Sequence, residues 1–250
     1  MALKLEFEEQ GLWLFKYRGI LPIALLFLGL ALYLKTVVYP ETFILRGTLY
    51  EEYYVYFCLL ISLIGLAIRV YTVGFTPKNT SGRNVDEQVA DTLNTTGIYS
   101  IVRHPLYLGN LLMWLGPALL TGQFWFVIAF GLFYWIYYER IMFAEEQFLT
   151  RKFGNIYTDW ADKVPAFIPN FSNFRHSNLS FSWKKVLKQE KNGLVAVFLI
   201  FAIFDVSGQL VNGTSDFNYF LLAALVATGI LYLVLRYLKN NTSVLNETGR

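Results

Sequence analysis

Six apolar runs, each close to the length that crosses a bilayer, constrain this chain more than any other feature. Residues 20–39, 53–73, 106–121, 124–143, 193–211 and 217–237 consist mainly of Leu, Ile, Val, Ala and aromatic side chains, and a helix needs ~20 such residues to span hydrocarbon. In that medium each backbone N–H and C=O must find an internal partner, which leaves helices as the spanning form. The expected fold is all-α: a polytopic integral membrane bundle of about six transmembrane helices. Charged residues make up 16% of the 250, against ~25% in soluble domains. The single cysteine, Cys58, lies inside the second run, so no internal disulfide can form. Only His104 and His176 accompany it, so no His/Cys metal site is expected, and no nucleic-acid partner either.

Residues 1–19 mix Leu3, Leu5, Phe7, Leu12, Trp13 and Phe15 with Lys4, Glu6, Glu8, Glu9 and Lys16. This pattern fits a segment lying in the membrane interface, with a frayed start as the plain alternative. No small-residue cleavage site follows a short apolar core there, so no signal peptide is expected. Residues 20–170 then form a four-span core, 171–192 a basic linker and 193–250 a two-span extension. The third run is short and contains Gly116-Pro117, which predicts a kink or tilt. Asp205 and Gln209 weaken the fifth run, and the plain reading puts Asp205 near the far interface.

Basic residues are unevenly shared between the two sides. One side receives Lys35 and Arg46, while the other receives Lys78, Arg83, Arg103, Arg140, Arg151, Lys152, Lys163, Arg175, Lys184, Lys185, Lys188, Lys191, Arg236 and Lys239. The positive-inside rule makes that second side cytoplasmic, with both termini inside. Lys184, Lys185, Lys188 and Lys191 fit a topology signal, with anionic lipid headgroups as an alternative partner.

Two polar clusters fall on this inner side. Residues 97–110 read GIYSIVRHPLYLGN. Here Arg103 and His104 precede Pro105, which suits a first helical turn because its missing N–H would go unpaired there anyway. Tyr107 adds a ring and a hydroxyl, and Gly109 a bare backbone that a ligand can approach. Glu145-Glu146 follows the fourth run. Read as the end of a helix, a carboxylate pair there opposes the helix dipole. At ~100° per residue the two cannot share a face, so one is expected to enter a pocket while the other meets water or a basic side chain. A tight turn at Gly122-Gln123 would bring both clusters together, forming a cofactor pocket at the cytoplasmic membrane face.

The run LNTTGIYSIVRHPLYLGN, followed by AEEQFLTRKFGNIYTDWADKVPAFIP, resembles the isoprenylcysteine carboxyl methyltransferase and phospholipid methyltransferase superfamily. The resemblance covers roughly residues 73–169, and TSGRN at Thr80 looks like the bacterial branch, which implies a bacterial inner membrane. It implies an integral membrane enzyme that uses S-adenosylmethionine, with site segments at 97–109 and 139–160. His104, Pro105, Tyr107 and Gly109 would line the cofactor site with Glu145 and Glu146, and Gly97, Tyr99 and Arg103 would lie close by. Trp160 stands where many relatives carry a tyrosine. The last two spans fall outside the resemblance.

Methyl transfer from a sulfonium needs in-line positioning and exclusion of water rather than a metal. An anionic acceptor would suit it, and Arg103 or Arg140 could orient such an acceptor bidentately. Arg103, Arg140 and Glu146 are therefore the candidate catalytic residues. The expected acceptor is a membrane-embedded lipid or isoprenylcysteine-like amphiphile with a carboxylate, phosphate or amine headgroup. Membrane sterol reductases, which use NADPH, share an RHPxY element and are the alternative reading; the Glu145-Glu146 pair argues against them. A non-catalytic membrane scaffold, the third reading, leaves the cluster at 97–109 without a reason.

Overall fold

The structure is a computed structural model describing residues 2–43, 45, 47–80 and 89–250. Of the positions named above, Arg46, Asn84, Arg83 and the Ser81-Gly82 step lie outside the described residues. The chain forms α1 (Leu3–Tyr17), α2 (Leu21–Val38), α3 (Glu51–Gly74), α4 (Pro105–Leu120), α5 (Phe124–Phe153), α6 (Asn155–Ala161), α7 (Trp183–Val211) and α8 (Tyr219–Asn241). There is no strand among the described residues, so the all-helical expectation holds.

Of these, α3, α5, α7 and α8 are long and apolar enough to cross a membrane. The 16 residues of α4 extend ~24 Å at 1.5 Å per residue, short of a ~30 Å hydrocarbon core. α1 and α2 form a pair bent by 69°.

Two helices outrun their apolar segments. α5 continues to Phe153 because Ala144, Glu145, Glu146, Gln147 and Leu149 are all good helix formers. It stops at Gly154, whose φ of +54° favours glycine. Glu145 and Glu146 therefore sit inside a helix, not at its end, which corrects the dipole argument. α7 likewise starts at Trp183, where the Ser182 hydroxyl accepts from the Lys185 N–H at 3.1 Å and caps the helix. The second half of the expected linker at 171–192 is thus helical. Within it the Lys185 ammonium is buried, donating to the carbonyls of Thr76 (2.6 Å) and Pro77 (2.9 Å). It locks α7 to the end of α3 and does not face lipid.

The tightest seam runs between α3 and α4. A Cβ added at Gly65 would lie 2.5 Å from both the Gly109 carbonyl and the Met113 nitrogen, and one at Gly109 would meet Arg69 Cγ at 2.6 Å. Small residues that let backbones approach are the usual device for joining helices in lipid. At the far end of the hairpin, Thr36 donates to the Thr121 carbonyl at 2.8 Å and Gln123 donates to Thr36 at 2.8 Å. Asp205 accepts from the Asn218 N–H at 2.9 Å, beside the α7–α8 connection. Phe201, Phe204 and Leu221 fill the core between α3, α7 and α8. Only 11% of the apolar window of α8 is buried inside the chain, so its faces are left for lipid.

Gly65→Val should force α3 and α4 apart, since both close neighbours are backbone atoms that cannot rotate away. Overpacking of this kind costs ~1–3 kcal/mol. The expected result is a lower thermal unfolding midpoint in detergent, with Gly131→Val, which has open space around it, unchanged. Equal midpoints for the two variants would contradict this account of the seam.

Candidate active site

The entry to α4 is held by a strand-like strap that follows α6. The N–H groups of Arg103 and His104 donate to the carbonyls of Pro165 (2.9 Å) and Ala166 (3.1 Å), and Asn170 N–H donates to the Ile101 carbonyl (2.9 Å). Gly97, with φ +60°, donates to the Arg175 carbonyl at 2.8 Å. With its backbone fixed by the strap, His104 becomes the residue preceding α4 and Pro105 its first position.

The imidazole then sits between the two glutamates of α5. Its Nε2 lies 3.0 Å from Glu146 Oε1, and its Nδ1 lies 3.6 Å from Glu145 Oε2. Tyr107 donates its hydroxyl to Glu145 Oε1 at 2.7 Å. Arg103 Nε stands 3.3 Å from Glu146 Oε1, an ionic contact rather than a hydrogen bond, while its Nη1 donates to the Ala161 carbonyl at 3.2 Å. The α5 rings support this arrangement from below: Tyr134 donates to the Tyr107 carbonyl at 2.7 Å and stacks on Tyr138 at 4.1 Å.

Burial alone would favour the neutral imidazole. The hydrogen bonds and charges of Glu145 and Glu146 outweigh it, so His104 is held above the ordinary histidine value. Burial first, and then the Glu145 carboxylate, keep the Tyr99 phenol well above its usual range. Burial and the Glu146 carboxylate do the same for Tyr157.

A cavity of about 470 Å³ opens beside this cluster, within the ~300–1,000 Å³ range of small-molecule pockets. Tyr99, Arg103, His104, Pro105, Tyr107 and Glu145 all line it. Glu146 does not; it stands behind His104 and Arg103. This resolves which member of the pair faces inward: Glu145 meets the cavity and Glu146 meets the basic side chains. The indole Nε1 of Trp160 also belongs to a cavity-lining residue, and it is buried without a protein partner.

Three expected site residues fall elsewhere. Arg140 lies with its guanidinium carbon 3.5 Å from the Phe7 ring centre and Nη1 3.1 Å from Glu139, and it does not line the cavity. Gly97 shapes the strap contact, and Gly109 makes room for α3; neither is a lining residue. Conversely, Arg69 and Asn110, with Gln189, Glu190, Asn192 and Gly193 of α7, form a wall that the sequence reading missed. The available signal was an arginine inside the second apolar run, since an ionisable residue there points to a functional site by default.

The Phospholipid methyltransferase family profile matches residues 54–156. The protein-S-isoprenylcysteine O-methyltransferase of Schizosaccharomyces pombe is 38% identical over 89 residues, 36% of this chain and 36% of the relative. The cobalt-zinc-cadmium resistance protein CzcN of Cupriavidus metallidurans is 34% identical over 119 residues, 47% of this chain and 52% of the relative. A probable protein-S-isoprenylcysteine O-methyltransferase of Oryza sativa subsp. indica is 30% identical over 139 residues, 54% of this chain and 68% of the relative. The chain thus spans about a third to a half of the length of the first two. No solved structure matches it. The rice relative is covered over more than two thirds of its length at 30% identity. By these matches the chain belongs to the isoprenylcysteine carboxyl methyltransferase and phospholipid methyltransferase superfamily of integral membrane proteins.

Proposed function

We propose that this chain is an S-adenosylmethionine-dependent methyltransferase whose acceptor is a membrane-embedded amphiphile. The observation that carries the reading is the cavity beside the His104–Glu145–Glu146 cluster. The donor set fits the cofactor: a carboxylate for ribose hydroxyls or an ammonium, phenols and an imidazole for polar edges, and the unpartnered Trp160 N–H for an acceptor atom. Glu145, Tyr107, His104, Tyr99 and Trp160 would hold it. When bound, S-adenosylmethionine supplies a methyl group already activated on a sulfonium. Paired carboxylates would repel the 2′-phosphate of a nicotinamide cofactor, which disfavours the reductase alternative.

The chain's own work is then to bind, orient and dry the site. Glu145 is fixed by the Tyr107 hydroxyl, so its second oxygen is presented in a set direction. Glu146 orients His104 and balances Arg103. Arg103 also lines the cavity, on the side of the His104 cluster. Pairing an anion with a sulfonium in a poorly hydrated site neutralises charge as the bond forms. The basic bias of this side supports a cytoplasmic face for the cavity.

Calorimetry of purified protein with S-adenosylmethionine tests the cofactor. Glu145→Gln should weaken binding by about tenfold or more, because a hydrogen bond to a charged group contributes ~1.5–3 kcal/mol. Glu146→Gln should weaken it less, since it works through His104 and Arg103. Unchanged affinity in both would refute the assignment.

Titration of His104 gives a separate test. An imidazole whose folded pKa stands above its unfolded value of about 6.5 adds stability that is fully present below that value. The contribution is lost as pH rises through the folded pKa. The gap in thermal midpoint between wild type and His104→Gln should therefore be widest at acid pH and narrow toward alkaline pH. A gap that widens with pH would contradict the coupling.

A further inference from the structure

Besides the His104 cluster, the cavity has a second polar wall, built from α3, α4 and α7. Arg69 Nε donates to Glu190 Oε2 at 2.9 Å, Nη2 donates to Glu190 Oε1 at 2.9 Å, and Nη1 donates to Asn110 Oδ1 at 2.6 Å. Arg69 and Asn110 come from the core that the family profile matches, whereas Glu190 comes from α7, outside residues 54–156.

A buried ion pair of this kind is weak evidence of a purely stabilising role, because apolar replacements often do as well. An arginine within a membrane span points instead to a polar ligand. The exposures say which partner meets that ligand. Arg69 keeps 18% of its side-chain surface accessible and Glu190 keeps 4%. Glu190 is the holder, and Arg69 is the face presented to the cavity. A guanidinium carries five N–H donors in a rigid fork, and the three bonds above leave donors for an anion. Such charge-assisted contacts are also directional.

We propose that Arg69, clamped by Glu190 of α7 and by Asn110, binds the anionic headgroup of the methyl acceptor, a carboxylate or a phosphate. Helix α7 of the C-terminal pair is then a determinant of acceptor specificity. The inference rests on the reading of the cavity as a methyl-transfer site, with the donor against α4, α5 and α6 and the acceptor against α3 and α7. Glu190 is a positioning residue that acts through Arg69.

The test is equilibrium binding to detergent-purified protein of three probes: N-acetyl-S-farnesylcysteine, its neutral carboxamide, and farnesyl phosphate. S-adenosylmethionine affinity is measured by calorimetry on the same samples. Arg69→Gln alone would leave Glu190 buried and uncompensated, so the working variant is the double substitution Arg69→Gln/Glu190→Gln, which keeps a neutral hydrogen-bonded pair of similar shape. Wild type should prefer at least one anionic probe over the carboxamide by about tenfold, the size of a single charge-assisted contact. Which anion is preferred separates carboxylate from phosphate. The double variant should lose that preference while its cofactor affinity stays within about twofold.

The proposal is overturned if wild type shows no preference for an anion or if the preference survives in the double variant. It is equally overturned if cofactor affinity falls alone, or in step with probe affinity. A wild type that binds no S-adenosylmethionine yet shows an Arg69-dependent anion preference would sink the cofactor reading and leave this wall standing.

Discussion

The imidazole of His104, held between two carboxylates of one helix, is the contact on which the rest of the site depends. It ties the entry of α4 to the last third of α5, and it sets where Tyr107, Arg103 and Glu145 can reach. Gathering these charges away from bulk water is costly unless each finds a partner. The arrangement meets that demand by nesting bonds: Glu146 takes His104 and Arg103, while Glu145 takes Tyr107 and the other side of the ring. Neither carboxylate is fully buried, with 20% and 24% of side-chain surface accessible. The cluster is therefore half-dry, dry enough to strengthen its contacts and open enough to meet a ligand.

That contact imposes conditions on distant parts of the chain. α5 must stay helical well beyond its apolar run, or Glu145 and Glu146 would not project along a rigid axis. The peptide before α4 must also be pinned, because the backbone of His104 has to leave the helix and still deliver its ring inward. The strap from Ala161 to Arg175 meets the second condition through its main-chain N–H and C=O groups. Its prolines matter for the extended backbone they impose rather than for any side-chain chemistry.

The sequence made the spans legible because hydropathy is a local sum over a stretch of residues. The same summing hid their ends and hid Arg69. Ala144 to Gln147 and Lys184 to Glu190 are polar yet favour helix, so propensity extended α5 and α7 where hydropathy stopped. One guanidinium among the apolar neighbours of α3 hardly lowers the average. His104 and Tyr107 were readable as one cluster because they are local, three residues apart where α4 begins. The strap was not, since a backbone carbonyl has no signature in the sequence. Arg140 failed on helical rotation: five residues before Glu145 it points about 140° away, toward α1.

The position of the cavity follows from a change in side-chain size along one face of α3. Ser62, Gly65 and Arg69 fall on that face at spacings of three and four, and all meet α4. Where the residues are small, the helices touch: Ser62 donates to the Met113 carbonyl at 2.9 Å, and Gly65 lies against the Gly109 backbone. One turn further on, Arg69 replaces them, and a guanidinium cannot enter a seam that narrow. Its stem crosses Gly109, and its head turns out to meet Asn110 and Glu190, where α7 closes the far side. The void beside His104 thus lies where the row of small residues on α3 gives way to Arg69. The residue that ends that row is also the one that gives the second wall its chemical character.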